Sequence, residues 1–349
     1  MHPVATLVVA ASAVVVFIVL VAAFTGIWMP RLPVGKPAPA PNQDAALALL
    51  ARLQAADGPE VATPCRSQLL RPQGPARGTI ILWHGFTNCP PQYAELAEIL
   101  CAEGYFVLVP RAPRHGYKDV LTRDLKNLTA EEIVTFGHAC VDIGAGLPGP
   151  LYVAGLSVGA TIAAWAGTVR PEIERVVAMA PLTQPVGIPV PIGRLLVRIR
   201  PIVPAIWIWW DPRKKADLGE SPYVYPGFPL PGLIPFLHIG ESLLDGHTSS
   251  RKRVQRVALT TNPGDFAIRK DAARKMMRRA YAGRADKALE LTLDKSLGWW
   301  HDFIDQAGAH HGDPEQVAAL VLAALGENDD TSAGGVIATT ADLFEGDKA

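Results

Sequence analysis

A hydroxyl, a carboxylate and an imidazole stand at Ser157, Asp265 and His301, each just past an apolar run of this 349-residue chain. Ser157 is the centre of Gly155-Leu156-Ser157-Val158-Gly159, preceded by Leu151-Tyr152-Val153-Ala154 and followed by the small residues 160–167. The pattern reads as strand, sharp turn and helix, with the hydroxyl at the apex and glycines where side chains would collide. Asp265 is the first carboxylate beyond Val257-Ala258-Leu259-Thr260-Thr261, and His301 follows Glu290-Leu291-Thr292-Leu293. A serine hydroxyl is a weak nucleophile at neutral pH. It needs an imidazole to take its proton and a carboxylate to orient that imidazole. Two amides must then hold the oxyanion, and those of Phe86 and Val158 are the candidates. Phe86 lies in His84-Gly85-Phe86-Thr87-Asn88, a turn after the apolar run Thr79-Ile80-Ile81-Leu82-Trp83, and His84 itself reads as structural.

Competing residues are weaker. His310 and His311 come just before Gly312-Asp313-Pro314 and read as solvent-facing, whereas His301 is nearer the strand end. Asp265 sits in a Pro-Gly turn, where Asp is common for turn reasons alone, but its position favours the acid role. Asp271 falls too far along, at or inside the next helix. Gly144-Ala145-Gly146-Leu147-Pro148-Gly149 matches the dinucleotide fingerprint G-x-G-x-x-G. That fingerprint needs a strand before it and a helix after it; here the order is reversed, so it is a loop.

Short β-branched runs alternating with helical stretches read as an α/β fold, a mostly parallel sheet with helices on both faces, whose strand carboxyl ends would bring the three side chains to one rim. Further strands are read at residues 106–109 and 175–180, and helices at 91–103, at 130–143 behind the capping box Thr129–Glu132, and at 313–325. The body spans 44–325, with an insertion rich in Pro, Ile, Leu and Trp at about 183–254. Residues 31–43 form a Pro-rich linker, and 326–349 an acidic tail expected to be frayed.

Residues 3–30 contain no Asp, Glu, Lys or Arg. About 20 apolar residues cross a bilayer, so residues 1–30 fit an uncleaved anchor better than a signal peptide, whose basic start is missing. Arg31 and Lys36 mildly favour a cytoplasmic body. With 33 basic and 33 acidic residues, the chain lacks the positive surplus a nucleic-acid partner calls for. Cys65, Cys89, Cys101 and Cys140 show no zinc spacing and read as free, mostly buried thiols.

The order Ser157, Asp265, His301 resembles that of the α/β-hydrolase superfamily, esterase and lipase branch, over about residues 79–325. The elbow, the His-Gly turn and the loop Pro110-Arg111-Ala112-Pro113-Arg114-His115-Gly116 look like that family's pattern. Trp209-Trp210-Asp211-Pro212 is similar to a cap feature of some bacterial members. The resemblance implies an apolar cap at the insertion and cleavage of lipophilic carboxylic esters through an acyl-enzyme, without cofactor or metal. Ser157, Asp265 and His301 would be catalytic, and Phe86 and Val158 the oxyanion donors. Thioesters or lactones fall within the same chemistry, and a hydrolase-fold binding protein without turnover is the rival. Trp299-Trp300 before His301 departs from the smaller residues often found there.

Overall fold

The computed structural model describes residues 12–14, 17, 30–211, 222–246, 253–308, 310–327 and 337–344. Ten strands follow in chain order: β1 (Gln68–Leu70), β2 (Gly78–Trp83), β3 (Tyr105–Val109), β4 (Leu151–Leu156), β5 (Ile173–Met179), β6 (Trp207–Trp209), β7 (Gly227–Pro229), β8 (Val254–Thr261), β9 (Ala285–Leu293) and β10 (Ile337–Asp342). Eight of them make one sheet in the order β1-β3-β2-β4-β5-β8-β9-β10. Its six central strands are parallel. Every residue of β2 and β4 is buried, as expected where helices cover both faces of a parallel sheet. The carboxyl ends of β2, β4, β8 and β9 therefore share one edge, and the loops that leave them carry Phe86, Ser157, Asp265 and His301.

Helices Ala94–Ala102, Ala130–Ala145, Val158–Val169, Lys270–Tyr281 and Pro314–Leu325 flank the sheet. The capping box is complete. Thr129 Oγ1 accepts from the Glu132 amide (3.1 Å), and Glu132 Oε2 accepts from the Thr129 amide (2.8 Å). Asp313 caps the last helix through the Glu315 and Gln316 amides, and Gly326 ends it at φ 78°.

Three features differ from the sequence reading. The linker carries no regular structure but lies on the body, where the Ala38 and Ala40 amides donate to Asp142 at 3.0 Å. Asn42 then caps a helix, Gln43–Ala55. The acidic tail supplies an edge strand, β10, antiparallel to β9. Leu343 after it is fully buried, because its amide reaches the Ala288 carbonyl (3.1 Å) and its side chain the core. Finally, Cys65 and Cys89 form a disulfide, while Cys101 and Cys140 are free. The short turn Thr63–Cys65 packs on Pro90–Tyr93 against Gly116, a meeting that spacing does not reveal.

The insertion holds helix Val190–Arg198, the two-stranded antiparallel sheet β6–β7 and helix Ile234–Leu244. Among the described residues no helix is long and apolar enough to cross a membrane. The segment read as an anchor, residues 1–30, lies almost wholly outside them.

Candidate active site

Ser157 sits at φ 57°, ψ −118°, a conformation that an L-residue adopts only when its surroundings enforce it. The enforcement is visible. Its amide donates to the Met179 carbonyl of β5 (2.9 Å), and its carbonyl accepts from the Thr161 and Leu182 amides (both 3.1 Å). A Cβ on Gly155 would collide with the backbone of Gly159, and one on Gly159 with the carbonyl of Trp83. The two glycines of the pentapeptide thus let the elbow helix fold back across β4 and beside β2.

The turn after β2 is built around one peptide plane. The Ala112 amide donates to His84 Nε2 (2.9 Å), which leaves the ring proton on Nδ1, facing the Gly85 carbonyl at 2.9 Å. The Asn88 amide also donates to that carbonyl (3.3 Å). A trans peptide points its N–H opposite its C=O, so clamping the Gly85 oxygen fixes the direction of the Phe86 amide. Burial pushes His84 down to about 4, so the clamp is a neutral ring at ordinary pH. Among the described residues no acceptor is paired with the Phe86 or Val158 amide.

Asp265 and His301 meet. His301 Nδ1 lies 2.7 Å from Asp265 Oδ2, with the carboxylate side chain 1% exposed and the imidazole 19%. The other carboxylate oxygen accepts from the Ala267 (2.7 Å) and Ile268 (3.2 Å) amides, so Asp265 is held on both sides. The Trp299–Trp300 pair splits its duties. Trp299 is buried and stacked on Phe303, whereas Trp300 is exposed, stacked on His310 (centroids 4.0 Å apart) and edge-on to Phe266. His310 and His311 are exposed, and Asp271 pairs with Arg269 at the start of its helix.

The cap closes over Phe86. Rings of Phe228 (4.9 Å), Phe236 (5.5 Å) and Trp210 (6.4 Å) surround it edge-on. Trp210 Nε1 donates to Thr87 Oγ1 (2.8 Å) and the Tyr225 amide to the Thr87 carbonyl (3.0 Å). Thr87 itself sits at φ 65°.

Sequence reasoning passed over four polar residues in this rim: Asn88, Gln92, Asn262 and Asp302. Asn262 donates to the carbonyls of Trp299 (3.0 Å) and Trp300 (2.8 Å), and Gln92 donates to Asp302 (2.8 Å). Only their adjacency to the chosen residues could have marked them. No cluster of three or more His, Cys, Asp or Glu suited to a metal occurs among the described residues.

A family model described as serine aminopeptidase, S33 (Hydrolase_4) matches residues 74–279, more than half of the chain. A search of curated proteins returned no match. Similar solved structures include a lipolytic enzyme from the metagenome-derived pair LipS and LipT. It has a TM-score of 0.57 and 18% identity, over 77% of this chain and 100% of that one. The monoacylglycerol lipase of Paleococcus ferrophilus gives 0.54 and 18%, over 73% and 96%. The α/β hydrolase GrgF from Penicillium sp. sh18 gives 0.50 and 14%, over 75% and 93%. At these identities the likeness establishes a common fold.

Proposed function

The chain belongs to the Hydrolase_4 family (serine aminopeptidase, S33), and we propose that within it this protein cleaves carboxylic esters carrying lipophilic acyl groups. It is a serine hydrolase of the α/β-hydrolase superfamily. In our reading Ser157 Oγ attacks the acyl carbon while His301 Nε2 takes its proton, and the Phe86 and Val158 amides hold the oxyanion. Collapse of the tetrahedral adduct expels the alcohol, which leaves with the proton from His301. Water, deprotonated by the same imidazole, then attacks the acyl-enzyme, and the acid departs as Ser157 recovers its proton. Asp265 keeps Nδ1 protonated throughout.

The observation that carries the proposal is the 2.7 Å contact between His301 Nδ1 and Asp265 Oδ2, on loops that leave the same end of the sheet as a serine at a positive-φ elbow. Lipophilic acyl groups suit an aromatic cluster of Phe86, Phe228, Phe236 and Trp210, packed on the turn that follows β2, better than a peptide would. The test is labelling by a fluorophosphonate probe together with turnover of a p-nitrophenyl ester series and of aminoacyl p-nitroanilides. Labelling that vanishes in Ser157→Ala, with esters preferred over anilides, supports the reading. A folded protein that neither labels nor turns over is the non-catalytic alternative, and a preference for anilides would make it a peptidase.

The apolar run at residues 1–30 is proposed to tether this body to a bilayer. The buried Cys65–Cys89 bridge favours the oxidising side, against the weak hint from Arg31 and Lys36. Carbonate extraction of membranes and protease access in intact cells check both points. A full-length chain released by carbonate, or one shielded from protease, would dispose of the corresponding claim.

A further inference from the structure

The segment that carries His301 is gripped from two sides by side-chain amides. On its amino side, Asn262 of the loop after β8 donates to the carbonyls of Trp299 and Trp300. On its carboxyl side, the grip comes from the turn after β2. Gln92 Nε2 donates to Asp302 Oδ2 (2.8 Å), and Asn88 Nδ2 to Asp305 Oδ2 (2.9 Å) and Asp302 Oδ2 (3.2 Å). Asp302 is the residue after His301.

The other ends of these amides are equally placed. Gln92 Oε1 accepts from the Gly85 amide (2.7 Å), and Asn88 Oδ1 accepts from the Cys89 amide (2.8 Å). Gly85 directly precedes Phe86. One buried glutamine therefore links the residue before the proposed oxyanion donor to the residue after the proposed base, which lies 210 residues beyond the glutamine in sequence. Gln92 and Asn88 are each only 3% exposed, so water competes little for these bonds.

We propose that Gln92, assisted by Asn88, is a positioning residue that ties the Phe86 amide and the His301 imidazole into one rigid unit. This rests on the serine-hydrolase reading above. Without the tie, the imidazole segment keeps its bonds to the loop after β8, and the oxyanion turn keeps its clamp at His84 and its contacts with the cap, but nothing in that set joins the turn to the segment. Each can then drift while both remain folded. A displacement of about 1 Å between reacting groups can cost on the order of a hundredfold in rate. Burial and the neighbouring Asp305 carboxylate push the Asp302 carboxyl up, which fits a group held by neutral amides rather than by a cation.

The decisive variant is Gln92→Met, which keeps length and volume but removes both hydrogen bonds. Expected for a short p-nitrophenyl ester are a kcat about 10- to 100-fold lower, a KM within about threefold of wild type, and an equal fall in the rate of fluorophosphonate labelling. Asp302→Leu should reproduce the kcat loss, and Asp302→Asn, which keeps an acceptor for Gln92, should recover most of it. The double variant Gln92→Met/Asp302→Leu should be no slower than the worse single one. A purely structural role predicts a lowered melting temperature with kcat per folded, titrated active site near wild type. That result overturns the proposal, as do multiplicative losses in the double variant. If Gln92→Met does not fold, the Asp302→Leu and Asp302→Asn comparison decides alone, with equal kcat in the two counting against the tie. Ser157→Ala and His301→Ala run beside these variants. Activity surviving in them would sink the serine-hydrolase reading, whereas its loss alongside a fully active Gln92→Met sinks only the tie.

Discussion

Acid should destabilise this fold in a way that can be traced to one ring. His115 is fully buried, its Nδ1 bonded to the Pro113 carbonyl (2.8 Å) and its Nε2 without a partner among the described residues. Burial first, then the neighbouring His84 and Arg111, push it down from 6.5 to about 3. The unfolded chain binds a proton at this histidine below about 6.5, whereas the native state refuses one until about 3. The contribution is therefore intact above pH 6.5 and drains away as pH falls toward 3. At pH 5, with about 1.4 kcal/mol per pH unit over about 1.5 units, the loss from His115 is about 2 kcal/mol. The assay is urea unfolding at pH 7.5 and 5.0, on the wild type and on His115→Gln, a side chain that keeps a donor but does not titrate. Carboxylates shared by the two proteins cancel in the comparison. The variant should lose about 2 kcal/mol less than the wild type between the two pH values. Equal losses would refute the assignment of a buried, neutral imidazole.

Other expectations are simpler to state. Asp265→Asn should lower ester kcat by about 10⁴-fold with little change in KM, since it leaves the ring in the wrong tautomer; a loss under tenfold argues against the assigned acid. His301→Ala should abolish turnover while His310→Ala/His311→Ala retains it, and the reverse pattern would move the base to the exposed pair. Gly159→Ala forces a Cβ into the Trp83 carbonyl and should cost about 3 kcal/mol or more in chemical denaturation, so a wild-type midpoint would contradict the packing. Removing the bridge by Cys65→Ser/Cys89→Ser should cost about 3 kcal/mol for a closed loop of this length, measured against the oxidised wild type; no change in midpoint would show the bridge to be dispensable.

The parallel sheet was readable because its strands are short apolar runs, and covered strands need no alternation. The elbow was readable because two glycines and a serine at fixed spacing are a local demand of backbone geometry. β1 and β10 escaped for the opposite reason. β1 has only three residues, and β10 lies in acidic sequence with few apolar anchors, Leu343 just after it among them. The Cys65–Cys89 bridge and the Gln92 contacts are long-range meetings that no local pattern encodes. His301 could be preferred over His310 by its distance from β9, yet its hydrogen bond to Asp265 is a fact of tertiary geometry. The second tryptophan of the pair, at position 300, turned outward, and so it does not crowd the imidazole.

Thr87 gives the cap a say in the chemistry. Both cap hydrogen bonds, from Trp210 and Tyr225, land on the residue next to Phe86, and the cap's rings press on Phe86 itself. Were the cap to swing aside, those supports would go with it, and in the proposed mechanism the Phe86 amide would be left to the His84 clamp and Gln92. On that reading the donor amide is best supported while the cap covers it, so ester cleavage would be fastest with the acyl group enclosed and water kept from the serine.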